Sequence, residues 1–153
     1  MRAWWWLRRP DHAGALVAIW VQGQVLVIRQ SYRPTLTFPG GGLRRGEAPL
    51  EAARRELREE IGFEADASAL TLAYETICRV DFRRDHVCIF ELRLPAAPAL
   101  RLDRREVVAA RFMQPAELRR ARLSPPVAFY LAGLAAPPGT PPAPETDPAD
   151  PPG

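Results

Sequence analysis

The feature that most limits what this chain can become is a 23-residue stretch, Gly41 to Phe63, reading GGLRRGEAPLEAARRELREEIGF. A glycine run that no helix would tolerate feeds a segment of strong helix formers. Pro49 suits a first helical turn and Gly62 stands where a left-handed cap belongs, so a helix is predicted to start near Ala48 or Pro49 and end before Gly62. With Glu56 at zero on the helical wheel, Glu60 falls at about 40° and Glu59 at about 300°. Leu50, Ala53, Leu57 and Ile61 gather at roughly 60° to 140°, and Arg54 and Arg58 lie opposite the carboxylates. The acidic face therefore borders the apolar stripe that packs on the rest of the protein.

Glutamates this close repel one another. A divalent cation among them would explain the arrangement, and ligation by carboxylates alone selects Mg²⁺, with Mn²⁺ as a substitute. The plain alternative is a solvated helix laced by the i,i+4 pairs Glu51–Arg55 and Arg55–Glu59. The glycine turn favours the first reading, because its backbone can approach a polyphosphate closely just before a helix begins. The stretch points to phosphate-ester hydrolysis.

Around this stretch, Ala15–Val21 and Val25–Arg29 are apolar, β-branched runs separated by Gln22-Gly23-Gln24, a hairpin pattern. Leu36–Phe38 is a short extended piece. Leu70–Val80 and His86–Leu94 read as strands joined by a charged turn, Asp81–Asp85, and Glu106–Met113 reads as another strand. Pro115–Arg122 and Pro126–Leu134 read as helices. This order implies an α/β fold with a mixed sheet covered on both faces. A chain of 153 residues buries an adequate core as one domain, residues 1–136. Residues 137–153 contain eight prolines and no aliphatic side chain larger than alanine, the composition of a disordered tail.

Trp4-Trp5-Trp6 is either an opening arm packed on the core or an aromatic platform for a base or a homodimer partner. Cys78 and Cys88 lack zinc-ligand spacing and read as reduced thiols of a cytoplasmic protein. The apolar run Ala13–Val21 is short of the roughly 20 residues of a membrane span. All cations are arginine, there is no lysine or asparagine, and the net charge of +3 is too small to argue for a nucleic-acid groove.

Gly41, five residues, Glu47, seven residues, Arg55-Glu56-Leu57, one residue, Glu59-Glu60, one residue, Gly62 and an apolar residue together resemble the signature of the Nudix hydrolases. Phe63 stands where that family usually carries an aliphatic residue. The surroundings agree: Phe38-Pro39-Gly40 leads into the stretch, and Glu106 and Phe112 fall where a late acidic residue and an aromatic strand occur. The resemblance implies an α/β/α sandwich that hydrolyses a diphosphate linked to another moiety, usually a nucleoside diphosphate derivative. It implies that Glu56, Glu59 and Glu60 hold the metal with the Gly40 carbonyl, that Arg55 pairs with Glu47, and that Glu56 or Glu106 takes the proton from water. Arg29, Arg33, Arg83, Arg84 and His86 flank predicted loops as candidate contacts to a small nucleotide, or are ordinary surface residues. No proline follows near Cys78-Arg79 to mark an ADP-ribose hydrolase, which leaves a nucleoside triphosphate or a nucleotide sugar open. A non-catalytic nucleotide sensor is the competing reading; retention of every motif carboxylate favours the enzyme.

Overall fold

The structure is a computed structural model, and it describes residues 12–80 and 83–135. The expectations for Trp4–Trp6 and for residues 137–153 lie outside these. Strands β1 (His12–Val21) and β2 (Gln24–Gln30) form the expected hairpin. Its turn is only two residues, Gln22 and Gly23, both with positive φ (50° and 78°), the twist that a tight hairpin requires. Gln24 already pairs with Val21. Strands β3 (Leu36–Thr37) and β4 (Gly40–Gly42) are short, and helix α1 follows at Pro49–Ile61.

Pro49 opens α1, and Glu51 in the first turn suits the positive end of the helix dipole. Gly62, at φ 67°, ends it in the left-handed region. The N–H groups of Gly62 and Phe63 turn back to the carbonyls of Arg58 and Leu57. Phe63 then packs against the core, filling the slot expected of an aliphatic residue.

Strands β5 (Thr71–Val80), β6 (Arg83–Leu94) and β7 (Val107–Met113) complete a sheet ordered β3-β2-β1-β6-β5, with β4 on β1 and β7 on β2. The β1–β6 pairing is parallel from His12/Asp85 to Val21/Leu94, whereas the other ladders are antiparallel. The sheet is therefore mixed. Ala15, Val17 and Ile19 of β1 face α1, packing with Ala52, Ala53, Leu57 and Ile61. Ala18 and Trp20 face the other way, toward Val127, Tyr130 and Leu131 of a C-terminal helix, α3 (Pro125–Ala135). Burial on both sides is why β1 reads as a continuous apolar run instead of an alternating one.

Strand β1 begins three residues earlier than the sequence reading, several other ends differ by one residue, and three of the differing boundaries carry a physical lesson. Strand β6 begins at Arg83, so Arg84 and Asp85 pair with Arg79 and Cys78 and are not part of a loop; cross-strand pairing overrides the polar composition. Strand β7 begins at Val107, leaving Glu106 just ahead of it. Helix α2 (Pro115–Leu118) stops well short of Arg122, because the N–H groups of Arg120 and Ala121 tighten onto the carbonyls of Glu117 and Leu118 and the Arg122 carbonyl turns to accept from the Leu36 N–H.

Candidate active site

Strand β4 is the floor of the site, and its glycines set how close α1 can come. Gly40 has φ 147°, and a Cβ there would lie 2.2 Å from the Ala15 carbonyl oxygen, so no other residue fits without moving backbone. Its N–H donates to Glu60 Oε1 at 2.8 Å. A Cβ on Gly41 would lie 2.9 Å from Glu56 Oε1. The two glycines thus carry two of the helix carboxylates directly on the backbone.

Glu60 is 1% exposed, and its Oε2 has no hydrogen-bond partner. Burial, and then the negative charge of Glu56 with a further part from Glu106, hold its pKa well above the usual carboxylate range. A buried carboxylate oxygen left unpaired beside other carboxylates costs several kcal/mol by order of magnitude. A hard divalent cation would relieve both the desolvation and the repulsion, so the donor set fits the ion that such a site requires.

Arg55 organises the rest of the acidic face. Its Nε and Nη2 donate to the two Glu47 oxygens, each at 2.8 Å, in a bidentate pair, and Nη2 also reaches the Gly42 carbonyl at 3.0 Å. Its Nη1 donates to Glu56 at 2.7 Å and to Glu59 at 3.2 Å. One guanidinium therefore ties the loop after β4 to the carboxylate face. The hydrogen bonds from Arg55 pull the Glu47 pKa down to about 2, more than offsetting burial. Glu51 pairs with Arg54 at 3.6 Å and not with Arg55, while Arg58 bonds Glu64 at 2.7 Å, so the far side of α1 is an ordinary solvated face.

The segment before β7 closes over the end of α1. Arg101 and Asp103 donate to the carbonyls of Ile61 and Glu60, and Ser31 donates to the Glu106 carbonyl. This brings the Glu106 charge close enough to act on Glu60. Tyr32, in the turn after β2, joins the same group. Burial and the charges of Glu60, Glu106 and Glu56 push its pKa up to about 12, against a lowering pull from Arg33. The residue is 48% exposed, so the three surrounding charges locate it better than its burial does. The sequence reading missed Tyr32; its only signal is an aromatic residue two positions past the end of a strand.

The basic candidates do not all converge. Arg33 stacks on the Tyr32 ring, 5.8 Å from its centroid, and so borders the acidic site. Arg29 follows the alternation of Val25 and Val27, which line the α3 face of the sheet, away from α1. Arg84 is exposed in the β5–β6 ladder. His86 is also exposed, with Nε2 3.2 Å from Glu75 Oε1. Among the described residues no helix is long and apolar enough to cross a membrane.

A two-faced mixed sheet with a glycine-floored acidic helix defines a class, and comparison with known proteins supplies its name. Residues 10–132 match the NUDIX domain, and the chain belongs to that family. An RNA pyrophosphohydrolase of Halorhodospira halophila is 35% identical over 99 residues, covering 61% of this chain and 55% of that protein. The chain thus aligns with about half the length of this relative. The crystal structure of the MutT protein from Methanosarcina mazei superposes with a TM-score of 0.71 at 16% identity, covering 84% of this chain and 95% of that one. The E. coli dihydroneopterin triphosphate pyrophosphohydrolase gives 0.67 at 20% identity, covering 84% and 100%. These structures share the fold.

Proposed function

We propose that the protein is a divalent-cation-dependent pyrophosphohydrolase that cleaves a phosphoanhydride bond of a nucleoside triphosphate or another nucleoside diphosphate derivative. The observation that carries the reading is Glu60, fully buried, with one oxygen on the Gly40 N–H and the other unpaired beside Glu56. Glu56, Glu59 and Glu60 would hold Mg²⁺ or Mn²⁺, and the chemistry such an ion supplies is neutralisation of phosphate charge and acidification of water.

The chain's own residues do the remainder. Arg55 fixes the rotamers of Glu56 and Glu59 from below, so that they need not reorganise when substrate arrives. Glu56 or Glu106 takes the proton from the attacking water. Gly40 and Gly41 let the β4 backbone lie against β1 and the Glu56 carboxylate, where a Cβ would intrude on the Ala15 carbonyl or on Glu56 itself. Arg33 on Tyr32 offers a cationic and an aromatic surface beside the site.

The relative's name, RNA pyrophosphohydrolase, adds a 5′-triphosphorylated RNA end to the substrates this chemistry can serve. A panel of nucleoside triphosphates, nucleotide sugars and a short 5′-triphosphorylated RNA, assayed with Mg²⁺ for released phosphate or pyrophosphate, tests the reading. Turnover of one class well above the others supports it. Binding of a nucleotide with no turnover of any member would instead make the chain a sensor.

A further inference from the structure

We propose that Glu75, His86 and Cys88 form a second metal site, suited to Zn²⁺ and separate from the glutamate helix. In the β5–β6 ladder Glu75 stands directly opposite Cys88. His86 is two residues before Cys88 on the same strand, and therefore on the same face. One oxygen of Glu75 lies 3.2 Å from His86 Nε2 and 3.5 Å from Cys88 Sγ, and one ligand atom from each residue falls within 4.8 Å of the others. Among the described residues this is the group of mixed His, Cys and acidic side chains that converges so tightly.

The distances carry chemical information. Tetrahedral zinc binds oxygen and nitrogen at about 2.0 Å and thiolate at about 2.3 Å, which sets ligand separations of about 3.3 Å for oxygen to nitrogen and about 3.5 Å for oxygen to sulfur. The two pairs anchored on Glu75 already stand near those separations. The Glu75 and His86 side chains are about half exposed, whereas Cys88 is buried, so an ion can enter from solvent and settle on the thiol. Three protein donors leave a fourth position for water. On binding, the Cys88 thiol releases its proton to solvent and the thiolate bonds the ion.

The site shares a sheet face with α1 but not its ion. Across the sheet Cys88 pairs with Ala15, and Ala15 pairs with Gly41, the residue beneath Glu56. Two inter-strand steps of about 4.8 Å put Cys88 roughly 10 Å from Gly41. The donors differ as much as the positions. Carboxylates alone select a hard ion, and sulfur with imidazole selects a softer one.

The test uses the full-length protein in excess Mg²⁺, which saturates carboxylate-only sites, titrated with Co²⁺. A thiolate-to-cobalt absorption in the near ultraviolet should appear, saturate at one ion per chain and vanish on addition of Zn²⁺. Cys88→Ala should abolish it and Cys78→Ala should retain it. His86→Ala should weaken Co²⁺ binding by at least the roughly tenfold that disturbing a metal's ligand shell costs. No absorption in the unaltered protein overturns the proposal, as does absorption that survives Cys88→Ala. Should Cys88→Ala misfold, unchanged Co²⁺ affinity in His86→Ala, at an exposed position, overturns it equally. Mg²⁺-dependent turnover, followed separately, reports on α1 alone, so the two readings fail independently.

Discussion

Helix α1 packs on one face of the sheet and the Glu75–His86–Cys88 cluster of the β5–β6 ribbon projects from that same face, yet each holds its polar groups by a different force. On α1, like charges are crowded within two turns and kept there by the Gly40 N–H beneath and the Arg55 guanidinium beside them. On the ribbon, unlike groups meet because strand register sets Glu75 opposite Cys88 and beside His86. Crowding like charge in the interior costs several kcal/mol for each unpaired group, whereas a half-exposed pair is worth about 0–1 kcal/mol. The helix is thus built against its own stability, and the ribbon is nearly neutral. Substitutions should follow the same gradient.

The largest effect is expected at Glu60→Gln. The amide keeps the side chain's volume and can still accept the Gly40 N–H, but it removes the charge. Turnover should fall by about 10²–10⁴-fold, with the melting temperature held or raised because the buried charge is gone. Near-normal turnover would break the contrast at its stronger end.

Next come the two glycines of β4, which sharpen it. Gly40→Ala forces a Cβ into the Ala15 carbonyl, and should cost about 3 kcal/mol or more, about 10 °C in melting temperature. Gly41→Ala meets only the movable end of Glu56, so stability should change little while turnover drops by about 10–100-fold. Equal thermal losses in both variants would show that Gly41 serves packing alone.

Arg55→Ala removes the cation shared by Glu47, Glu56 and Glu59, leaving Arg44 to bond Glu47 and Glu59, and should cost about 3 kcal/mol in urea denaturation at pH 7 without divalent ions. It also carries a pH signature. The Glu47 pKa is lowered to about 2, so its contribution is complete above an unfolded value near 4.5 and is lost as pH falls toward 2. Denaturation at pH 7, 4.5 and 3 should show that loss in the unaltered protein and a flatter dependence in Arg55→Ala. The smallest effect belongs to the ribbon. Glu75→Gln, without metal, should shift stability by less than about 0.5 kcal/mol, because the pair with His86 is half exposed.

The same difference governed what the sequence could reveal. Every group on α1 comes from one contiguous stretch whose spacing and helical period put Glu56, Glu59 and Glu60 on one face before any fold is known. The β1–β2 hairpin, Pro49 and Gly62 were legible for the same reason, being local rules of turn and cap. Glu75 and Cys88 are brought together by an antiparallel register that contains a bulge between Leu72 and Tyr74, and no local pattern fixes such a register. The spacing of Cys78 and Cys88 along the chain carries no information about which residue stands opposite Cys88 in the ladder. The alternation His86-Val87-Cys88 on a strand was the available signal. The extent of β6 and the early end of α2 were likewise set by partners distant in sequence, Cys78 with Arg79 and Leu36.

The direct test of a cation held by the α1 carboxylates is Mn²⁺ binding, followed by loss of the free-ion paramagnetic resonance signal in the unaltered protein and in Glu60→Gln. Saturable binding that Mg²⁺ displaces, lost in Glu60→Gln, is the outcome expected here. Equal Mn²⁺ affinity in the two proteins would mean that the buried glutamate is paired by something other than a metal.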